Sequence, residues 1–431
     1  MLNLIFCVDR CYFLASGLLA LLQPLFNRKK KLKNPVPNTH LCGHKLFQYQ
    51  YFKNYYLKTI FLKTLKGLIM KQTVSVTSQQ VSNLPAKNTI NKRIILHSRP
   101  IGMPSTANFS LEEGRVPMPN DNQVLLRTLY LSLDPYMRGR MSAAESYAAP
   151  VALNDVMVGG TVSIVVASLN VNYQTGDLVI SLNGWQEYAL SDGNDLYKLN
   201  NVRTQQAPSL SGYLGVLGMP GFTAYMGLLE IGQPKANETL VVAAASGAVG
   251  AVVGQIAKLK GCKVIGVAGG QDKCAYVVND LGFDLCLDHH APDFATQLAN
   301  ACSKGIDIYF ESVGGKVFDA VLPLLNTNAR IPVCGMIASY NNTSLPRGPD
   351  RLGLLMSIIL RKSIKMQGFI ISDYYAQHYP AFVAQMSDWL AHDKIKFIED
   401  ITEGLEQAPQ AFIGLLMGKN FGKAIVRVSQ Y

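Results

Sequence analysis

The sequence predicts an α/β protein in which a β-rich domain is followed by a doubly wound parallel sheet. Two observations carry this prediction. Short Val- and Leu-rich runs broken by Gly, Asp and Asn fill residues 91–215, and strand-like segments alternate with helix-like ones from residue 238 onward. Repeated strand–helix units favour a parallel sheet with its ligand at the carboxyl ends of the strands. At 431 residues and 48% hydrophobic composition, the chain is long enough to bury both cores.

The first 69 residues differ from the rest of the chain in charge. They hold eleven of the 40 Lys and Arg residues but only one of the 29 acidic residues. Residues 70–431 are therefore nearly neutral, and their charge gives no support for a nucleic-acid partner. Residues 11–22 form an apolar run shorter than the roughly 20 residues that a membrane-spanning helix needs. The basic cluster at residues 28–33 follows this run, which is the reverse of the order in a secretory signal.

Residues 1–69 are thus a basic N-terminal extension of doubtful status, and three interpretations stay open. We favour a mispredicted start upstream of Met70, because the segment shows no stable period of 3.6 or 2 residues. A disordered or organism-specific extension is the second interpretation, and a membrane anchor is the third. On the favoured interpretation the protein has no membrane partner.

Removal of residues 1–69 tests these interpretations. We expect a chain that starts at Met70 to express, fold and turn over like the full chain, because the removed part contains no readable core and no motif. Thermal melting and turnover measured on both forms give the comparison. Loss of folding in the shorter chain would show that the segment is an integral element.

The β-rich domain is predicted over residues 85–215. Its first strand begins near Lys92, and further strand-like runs lie at residues 123–133, 156–166 and 176–181. Such runs, bounded by turn-forming residues, are typical of a small barrel-like domain.

This domain has no side chains suited to binding zinc. No Cys occurs between Gly43 and Gly261, and no His occurs between Ser98 and Asp288. A zinc alcohol dehydrogenase needs Cys and His ligands here, so the sequence predicts no metal site.

Tyrosine hydroxyls are the remaining groups that could donate a proton in a mostly apolar pocket. Tyr136 follows the strand at residues 123–133, and Tyr147 lies in the loop beyond it. The alternative for each is a buried ring whose hydroxyl donates to a backbone carbonyl.

A glycine-rich turn links a strand to a helix in the second half of the chain. An apolar strand at residues 240–244 leads to Gly247 and Gly250, and a small-residue helix then runs to Lys260 before a second strand. This arrangement places a dinucleotide pyrophosphate on a helix N-terminus. Ala245 replaces the first glycine of the G-x-G-x-x-G pattern, so a purely structural glycine turn stays an alternative.

The end of the second strand indicates which dinucleotide is bound. Enzymes for NAD usually place Asp or Glu there to accept from the ribose 2′-hydroxyl. Here the strand runs into Gly269 and Gly270, and Lys273 follows in the next helix. This favours NADPH, with Lys273 on the 2′-phosphate, although a surface lysine at a helix start is the alternative.

Strand and helix patterns continue to residue 334. Ser312, Cys334, Gly335 and Tyr340 follow strands of this sheet, so their position makes them candidates for contact with cofactor or substrate. The predicted helices cover residues 274–281, 294–302 and 317–325, and the predicted strands cover residues 285–288, 306–311 and 329–334.

Two adjacent histidines, His289 and His290, lie near Cys286 and could suggest a metal site. We expect none, because side chains of adjacent residues point in different directions. The eight cysteines show no disulfide framework, which favours a reducing cytoplasm.

Several motifs in one order make residues 91–429 resemble the zinc-free medium-chain dehydrogenase/reductases. Within them the chain is most similar to the NADPH-dependent double-bond reductases, which include bacterial curcumin reductases, prostaglandin reductases and plant alkenal reductases. The motifs are Asp134-Pro-Tyr-Met-Arg-Gly-Arg, Leu217-Gly-Met-Pro-Gly-Phe-Thr-Ala-Tyr, Ala244-Ala-Ser-Gly-Ala-Val-Gly, Val313-Gly-Gly, Cys334-Gly-Met-Ile-Ala-Ser-Tyr and Lys419-Asn-Phe-Gly-Lys.

The resemblance implies a fold and an assembly. A GroES-like catalytic domain at residues 85–215 would be completed by residues 398–431, and a Rossmann NADPH-binding domain would occupy residues 216–397. Edge strands at residues 365–371 would pair two copies into a homodimer.

The resemblance also implies a cofactor site. Gly247, Ala248, Val249 and Gly250 would hold the pyrophosphate, Lys273 the 2′-phosphate, and Cys334, Gly335, Phe369, Ile370 and Asn420 the nicotinamide side. His289 stands where prostaglandin reductases carry Tyr, and Ser312 where they carry Asn, so these two are cofactor candidates that depart from the pattern.

The implied reaction adds hydride to the carbon β to a carbonyl in a small apolar enone or enal. The resulting enolate needs a hydrogen-bond donor, and we expect Tyr147 and Tyr340 to serve first and Tyr136 second. Reduction of quinones and NADPH binding without turnover are the two alternatives. An apolar pocket is defined by its shape, so no motif names the physiological substrate.

Overall fold

The computed structural model describes residues 89–199, 209–344 and 350–431, all of them within the unit Thr77–Tyr431. The interpretations of residues 1–69 therefore concern a segment that lies outside the described residues. The described chain forms a two-stranded sheet, a seven-stranded mixed sheet and a six-stranded parallel sheet. The predicted α/β class, with a β-rich part followed by a parallel sheet, is confirmed.

The strands and helices are numbered here in chain order. The strands are β1 Ile90–Leu96, β2 Phe109–Arg115, β3 Val124–Ser132, β4 Thr161–Ser168, β5 Leu178–Ser181, β6 Tyr188–Ser191, β7 Tyr197–Lys198, β8 Thr239–Ala243, β9 Lys263–Ala268, β10 Leu285–Asp288, β11 Ile306–Phe310, β12 Leu325–Val333, β13 Lys365–Gly368, β14 Glu399–Glu403 and β15 Lys423–Arg427. The helices are α1 Met137–Arg140, α2 Met219–Met226, α3 Gly250–Leu259, α4 Gln271–Asn279, α5 Phe294–Ala301, α6 Gly315–Val321, α7 Leu352–Lys362, α8 Tyr375–Ala391 and α9 Ala408–Leu416.

The mixed sheet joins the C-terminal strands β14 and β15 to strands β3 to β7. Its order is β14-β15-β3-β4-β5-β7, and β6 pairs with β3. Strand β15 runs antiparallel to β3, so residues near the C-terminus lie beside the strand that leads to Tyr136. β4 begins at Thr161, later than predicted, because Met157 exchanges backbone hydrogen bonds with Ile94 and Trp185 instead of with β3.

The parallel sheet carries helices on both faces. Its order is β10-β9-β8-β11-β12-β13, and every pair is parallel. Alternate residues of β8 enter two different cores, since side chains of a strand point to opposite faces. Leu240 and Val242 pack in the core that contains α3, and Val241 and Ala243 pack in the core that contains α5 and α6.

Helix boundaries differ most from the predictions in α4 and α6. α4 begins at Gln271 and not at Cys274, so Lys273 lies inside its first turn. α6 ends at Val321, where a 3₁₀ turn containing Pro323 leads into β12. Proline has no amide hydrogen to continue the helical ladder, which explains the early end. Within the described ranges, no helix combines the length and apolar character needed to cross a membrane.

A candidate dinucleotide site at the carboxyl edge of the parallel sheet

The turn between β8 and α3 requires glycine at one position above all. An ideal Cβ on Gly250 would lie 2.4 Å from the Ala244 carbonyl oxygen, so any side chain would displace backbone. The first helical hydrogen bond runs from Ala251 to Gly247 at 3.0 Å. The amides of Ala248, Val249 and Gly250 precede that bond and lie at the positive end of the helix, as an anion site requires.

Ala245 can take the place of the first glycine because its side chain packs on Gly266 of β9. The Ala245 side chain is fully buried, and its amide donates to the Val267 carbonyl at 2.9 Å. An ideal Cβ on Gly266 would lie 2.8 Å from the Ala245 Cβ. The close approach of the two strands is thus provided by Gly266. Within this turn the residue with a left-handed backbone conformation is Ala244, whose φ is 51°.

A small open pocket adjoins this turn. One side is formed by Ser246, Gly247 and Ala248 and the other by the C-terminal segment. Its further lining residues are Gly215, Val216, Ala251, Val252, Tyr276, Phe397, Ile398, Gly422 and Lys423. A tight turn that requires Gly250, backbone amides at the start of α3 and an open pocket beside them together fit a dinucleotide pyrophosphate. Gly422 and Lys423 of this wall belong to the Lys419-Asn-Phe-Gly-Lys motif, whereas sequence reasoning missed Phe397 and Ile398, which carry no cofactor motif.

The predicted phosphate ligand, Lys273, reaches toward the C-terminal segment. Its Nζ donates to the Gly418 carbonyl at 2.6 Å, and the side chain is half-buried. Burial lowers the pKa of Lys273, while the nearby Asp400 carboxylate raises it. The lysine is therefore anchored at the edge of the site and is not a freely solvated surface residue.

His289 and His290 lie over the end of β9. Their ring centroids are 4.2 Å apart in an edge-to-face arrangement, so the expectation that adjacent histidines point apart is wrong here. The reason is a tight turn: Asp288 Oδ1 accepts from the amides of Gly270 at 3.0 Å and His290 at 2.9 Å. In the part of the chain that the structure describes, no group of three or more His, Cys, Asp or Glu residues could hold a metal ion.

Glu311, which sequence reasoning did not single out, organises the loop that carries Ser312. The Glu311 Oε1 accepts from the amides of Val313 at 2.7 Å and Gly314 at 2.8 Å. Burial raises the pKa of Glu311, and these amide donors oppose that rise. Ser312 Oγ in turn donates to the Ala243 carbonyl at 3.3 Å, which holds the loop against the end of β8.

Among the described residues, the Tyr340 hydroxyl accepts one hydrogen bond and donates none. The Met336 amide donates to the Tyr340 oxygen at 3.4 Å, so the phenol acts as acceptor in that bond. An ideal Cβ on Gly335 would lie 3.0 Å from this oxygen, so the ring approaches the backbone where glycine leaves room. Burial raises the pKa of Tyr340, and the nearby Cys334 raises it further by a smaller amount.

The other two predicted tyrosines are Tyr136 and Tyr147. Burial raises the pKa of Tyr136, with further contributions from the negative charges of Asp134 and of an ionised Tyr147. Tyr147 also contributes to the raised pKa of Tyr340. Tyr147 therefore lies close enough to both Tyr136 and Tyr340 to influence the pKa of each. Tyr147 is 63% exposed, which makes it the least enclosed of the three.

The remaining nicotinamide-side candidates are fixed by packing and by backbone contacts. Phe369 follows β13 and packs so closely on Gly227 that an ideal Cβ there would lie 2.6 Å from its ring. Ile370 precedes a 3₁₀ turn and accepts from the Asp373 amide at 3.2 Å. Asn420 Nδ2 donates to the Gly422 carbonyl at 2.7 Å, so its side chain shapes the turn before β15.

A buried ion pair connects the C-terminal strand to the loop of Tyr136. Lys423 Nζ lies 3.1 Å from Asp134 Oδ1 and also donates to the carbonyls of Leu133 at 2.7 Å and Ala424 at 2.9 Å. Both side chains are at least 93% buried. Burial lowers the pKa of Lys423, and the Asp134 carboxylate opposes that effect. No sequence signal could have found this pair, because its members are 289 residues apart.

Two family models match this chain. The one described as "N-terminal domain of oxidoreductase" matches residues 92–199, and the one described as "Zinc-binding dehydrogenase" matches residues 248–389. The first covers most of the β-rich part, and the second covers the strands and helices from the phosphate turn to α8.

Similar proteins extend over nearly the whole described chain. NADPH-dependent curcumin reductase of Escherichia coli (strain K12) is 64% identical over 339 residues, which are 79% of this chain and 97% of that protein. The NADP(+)-dependent 2-alkenal reductase of Nicotiana tabacum is 39% identical over 80% of this chain and 99% of that protein.

A solved structure is similar to this chain in both sequence and fold. The crystal structure of CurA in complex with NADPH from Vibrio vulnificus is 59% identical, has a TM-score of 0.76, and matches 79% of this chain and all of that one. The parallel sheet with its glycine turn, the mixed sheet and these relatives lead to one conclusion. The chain belongs to the medium-chain dehydrogenase/reductase family, within its group of NADPH-dependent double-bond reductases.

Proposed function

We propose that this protein uses NADPH to reduce the carbon–carbon double bond of small apolar α,β-unsaturated ketones and aldehydes. The observation that carries the proposal is the Tyr340 hydroxyl, which accepts from the Met336 amide and keeps its proton available beside the strand ends. The names of the relatives support it, since one reduces curcumin, a conjugated enone, and another reduces 2-alkenals.

In the proposed cofactor site, the amides of Gly247, Ala248, Val249 and Gly250 bind the pyrophosphate. Lys273 and His289 bind the adenosine end of the cofactor. Within that end, Lys273 binds the 2′-phosphate. Ser312, Cys334, Gly335, Phe369, Ile370 and Asn420 form the nicotinamide side. Bound NADPH supplies the hydride that adds to the β-carbon of the substrate.

The protein's own contribution is to stabilise the enolate, whose α-carbon then takes up a proton from solvent or from a tyrosine hydroxyl to give the saturated carbonyl compound. Tyr340 donates a hydrogen bond to the substrate carbonyl oxygen as negative charge develops there. Tyr147 is the second donor, and Tyr136 supports both from its more buried position. Burial raises the pKa of all three phenols, so they stay protonated near neutral pH and can donate.

A comparison of substrate classes tests the proposal. Purified protein with NADPH should oxidise the cofactor with enones and enals and yield the saturated carbonyl compound. A hydroquinone as the main product would favour quinone reduction instead. Absence of turnover with all three classes, combined with tight NADPH binding, would favour an NADPH-binding sensor.

Lys273→Ala tests the 2′-phosphate contact. Removing one charged partner costs about 1.5 to 3 kcal/mol, so we expect KM for NADPH to rise by roughly 10- to 150-fold. KM for NADH should change little, because NADH lacks the phosphate. Lys260→Ala, at the exposed end of α3, is the matched control and should leave both values unchanged. Equal weakening of both cofactors by Lys273→Ala would contradict the assignment.

The proposed assembly is a homodimer formed through β13, the edge strand of the parallel sheet. The adjacent helix α7 leaves Leu354 at 52% and Leu360 at 81% exposure, and Met366 on β13 is 39% exposed. Apolar side chains grouped beside an open edge strand favour pairing with a second copy.

Light scattering tests this assembly. We expect the Leu354→Lys, Leu360→Lys double variant to be monomeric where the wild type is dimeric. Leu259→Lys, at an exposed apolar position on α3, should stay dimeric. A wild-type monomer, or a double variant that remains a dimer, would contradict the proposal.

The domain limits and the location of the protein are also proposals. We place the catalytic domain at residues 85–215 and 398–431 and the cofactor domain at residues 216–397, which agrees with the pairing of β15 with β3. A cytoplasmic location is supported by the five described cysteines, all of which are free thiols.

A further inference from the structure

Arg138 is a buried arginine with no acidic partner among the described residues. It lies in α1, two residues after Tyr136, and only 6% of its surface is exposed. Burial is the only cause of its lowered pKa, so no described carboxylate opposes that effect. A buried charge costs free energy unless hydrogen bonds or a counter-charge offset the loss of water. The two side-chain hydrogen bonds of Arg138 therefore indicate what this residue holds in place.

These bonds join α1 to two other segments of the chain. Arg138 Nε donates to Asn341 Oδ1 at 2.9 Å, and its Nη2 donates to the Gly102 carbonyl at 2.8 Å. Asn341 Nδ2 also donates to Met103 Sδ at 3.4 Å, so the two segments contact each other as well. Because a guanidinium is planar, it fixes its two acceptors relative to each other, which a flexible ammonium group does not do.

The segment that contains Asn341 is the one that carries Tyr340. A 3₁₀ turn at Ile337–Ser339 ends at Tyr340, whose amide donates to the Ile337 carbonyl at 3.2 Å. Connecting segments of this kind move more than the strands and helices beside them unless further contacts hold them. The Arg138 bond falls on the residue directly after Tyr340, so it restricts the backbone that carries the phenol.

We propose that Arg138 is a positioning residue, which fixes the Tyr340 hydroxyl relative to Tyr136. The proposal rests on the function proposed above, in which Tyr340 donates to the developing enolate. Arg138 follows Tyr136 by two residues and bonds the residue after Tyr340, so one rigid group connects the two phenols. A displacement of about 1 Å at the reacting groups can cost roughly 100-fold in rate, so a hydrogen bond outside the reaction centre can control turnover.

A double-mutant cycle in steady-state kinetics tests the proposal. We expect Arg138→Met to lower kcat for an enone about 10- to 100-fold, while KM for NADPH changes less than about twofold. In the Tyr340→Phe background the same substitution should lower kcat by less than about threefold, because the hydroxyl to be positioned is already absent. Asn341→Leu removes the acceptor from a half-buried position and should give the same pattern. An undiminished effect in the Tyr340→Phe background would overturn the proposal.

Hydrogen exchange measures the same contact without turnover. The amides of Tyr340 and Asn342 donate to backbone carbonyls of their own loop at 3.2 and 3.1 Å, so their exchange reports its opening. Peptides that cover residues 336–343 should exchange about tenfold faster in Arg138→Met than in the wild type. Peptides from β8 and β11 should exchange at the wild-type rate. Unchanged exchange at residues 336–343 would overturn the proposal.

Arg127→Met is the matched control. Arg127 also donates to one side chain and one backbone carbonyl, those of Ser429 at 3.0 Å and Gln430 at 2.8 Å, and neither partner is a candidate site residue. The control should melt at a lower temperature but keep kcat and the exchange of residues 336–343. An equal loss of kcat in the control would contradict the proposal. A wild type that reduces no enone, together with faster exchange in Arg138→Met, would contradict the proposed function and leave the anchoring of Tyr340 by Arg138 intact.

Discussion

Gly250→Ala is expected to weaken NADPH binding by about 30- to 150-fold. The added methyl carbon would lie 2.4 Å from the Ala244 carbonyl oxygen and 2.9 Å from its carbon, both of which are backbone atoms. Neither can move without shifting the turn between β8 and α3. Overpacking of this kind costs about 2 to 3 kcal/mol, which corresponds to that loss of affinity if the helix amides leave their positions.

Fluorescence titration with NADPH measures this effect. Gly353→Ala is the matched control, because Gly353 lies in helix α7 with no atom within 4 Å of its ideal Cβ. The control should keep its cofactor affinity and gain up to about 1 kcal/mol of stability from helix propensity. Normal affinity in a folded Gly250→Ala variant would show that this turn does not bind the pyrophosphate.

Tyr340→Phe is expected to lower kcat/KM for an enone by about 10- to 150-fold, the equivalent of a charged hydrogen bond of about 1.5 to 3 kcal/mol. The Tyr340 oxygen already accepts from the Met336 amide, so the hydroxyl proton is the part available to the developing enolate. NADPH affinity should hardly change, since the ring and its packing remain. Steady-state kinetics with one enone give both values.

Tyr147→Phe should lower kcat/KM in the same direction but by less, because Tyr147 is 63% exposed and water can replace its hydrogen bond. Tyr173→Phe is the control. The Tyr173 hydroxyl donates to the Gly193 carbonyl at 2.9 Å in the β-rich part, so its loss should affect stability and not turnover. Wild-type turnover by both Tyr340→Phe and Tyr147→Phe would reduce these residues to a packing role.

The sequence by itself predicted most of the strands and helices from β8 to β12, although β12 begins at Leu325, four residues before its predicted start. β10 was predicted at residues 285–288 and is observed there, and α5 and β11 differ from prediction by one residue at one end. Periodicity and glycine turns are local properties, readable from neighbouring residues alone. The same patterns predicted a dinucleotide at the strand ends, since parallel βα units leave one edge open.

Only the tertiary structure decided which distant residues share the site. Ala245 is accommodated because Gly266 faces it on β9, and Lys423 meets Asp134 across 289 residues. The two imidazoles over Gly269 converge because Asp288 closes a turn with amides from two segments. The period of a hydrophobic pattern identifies the face of a strand or helix on which a side chain lies. It does not identify the residue that the side chain contacts, because that contact depends on packing between segments far apart in the chain.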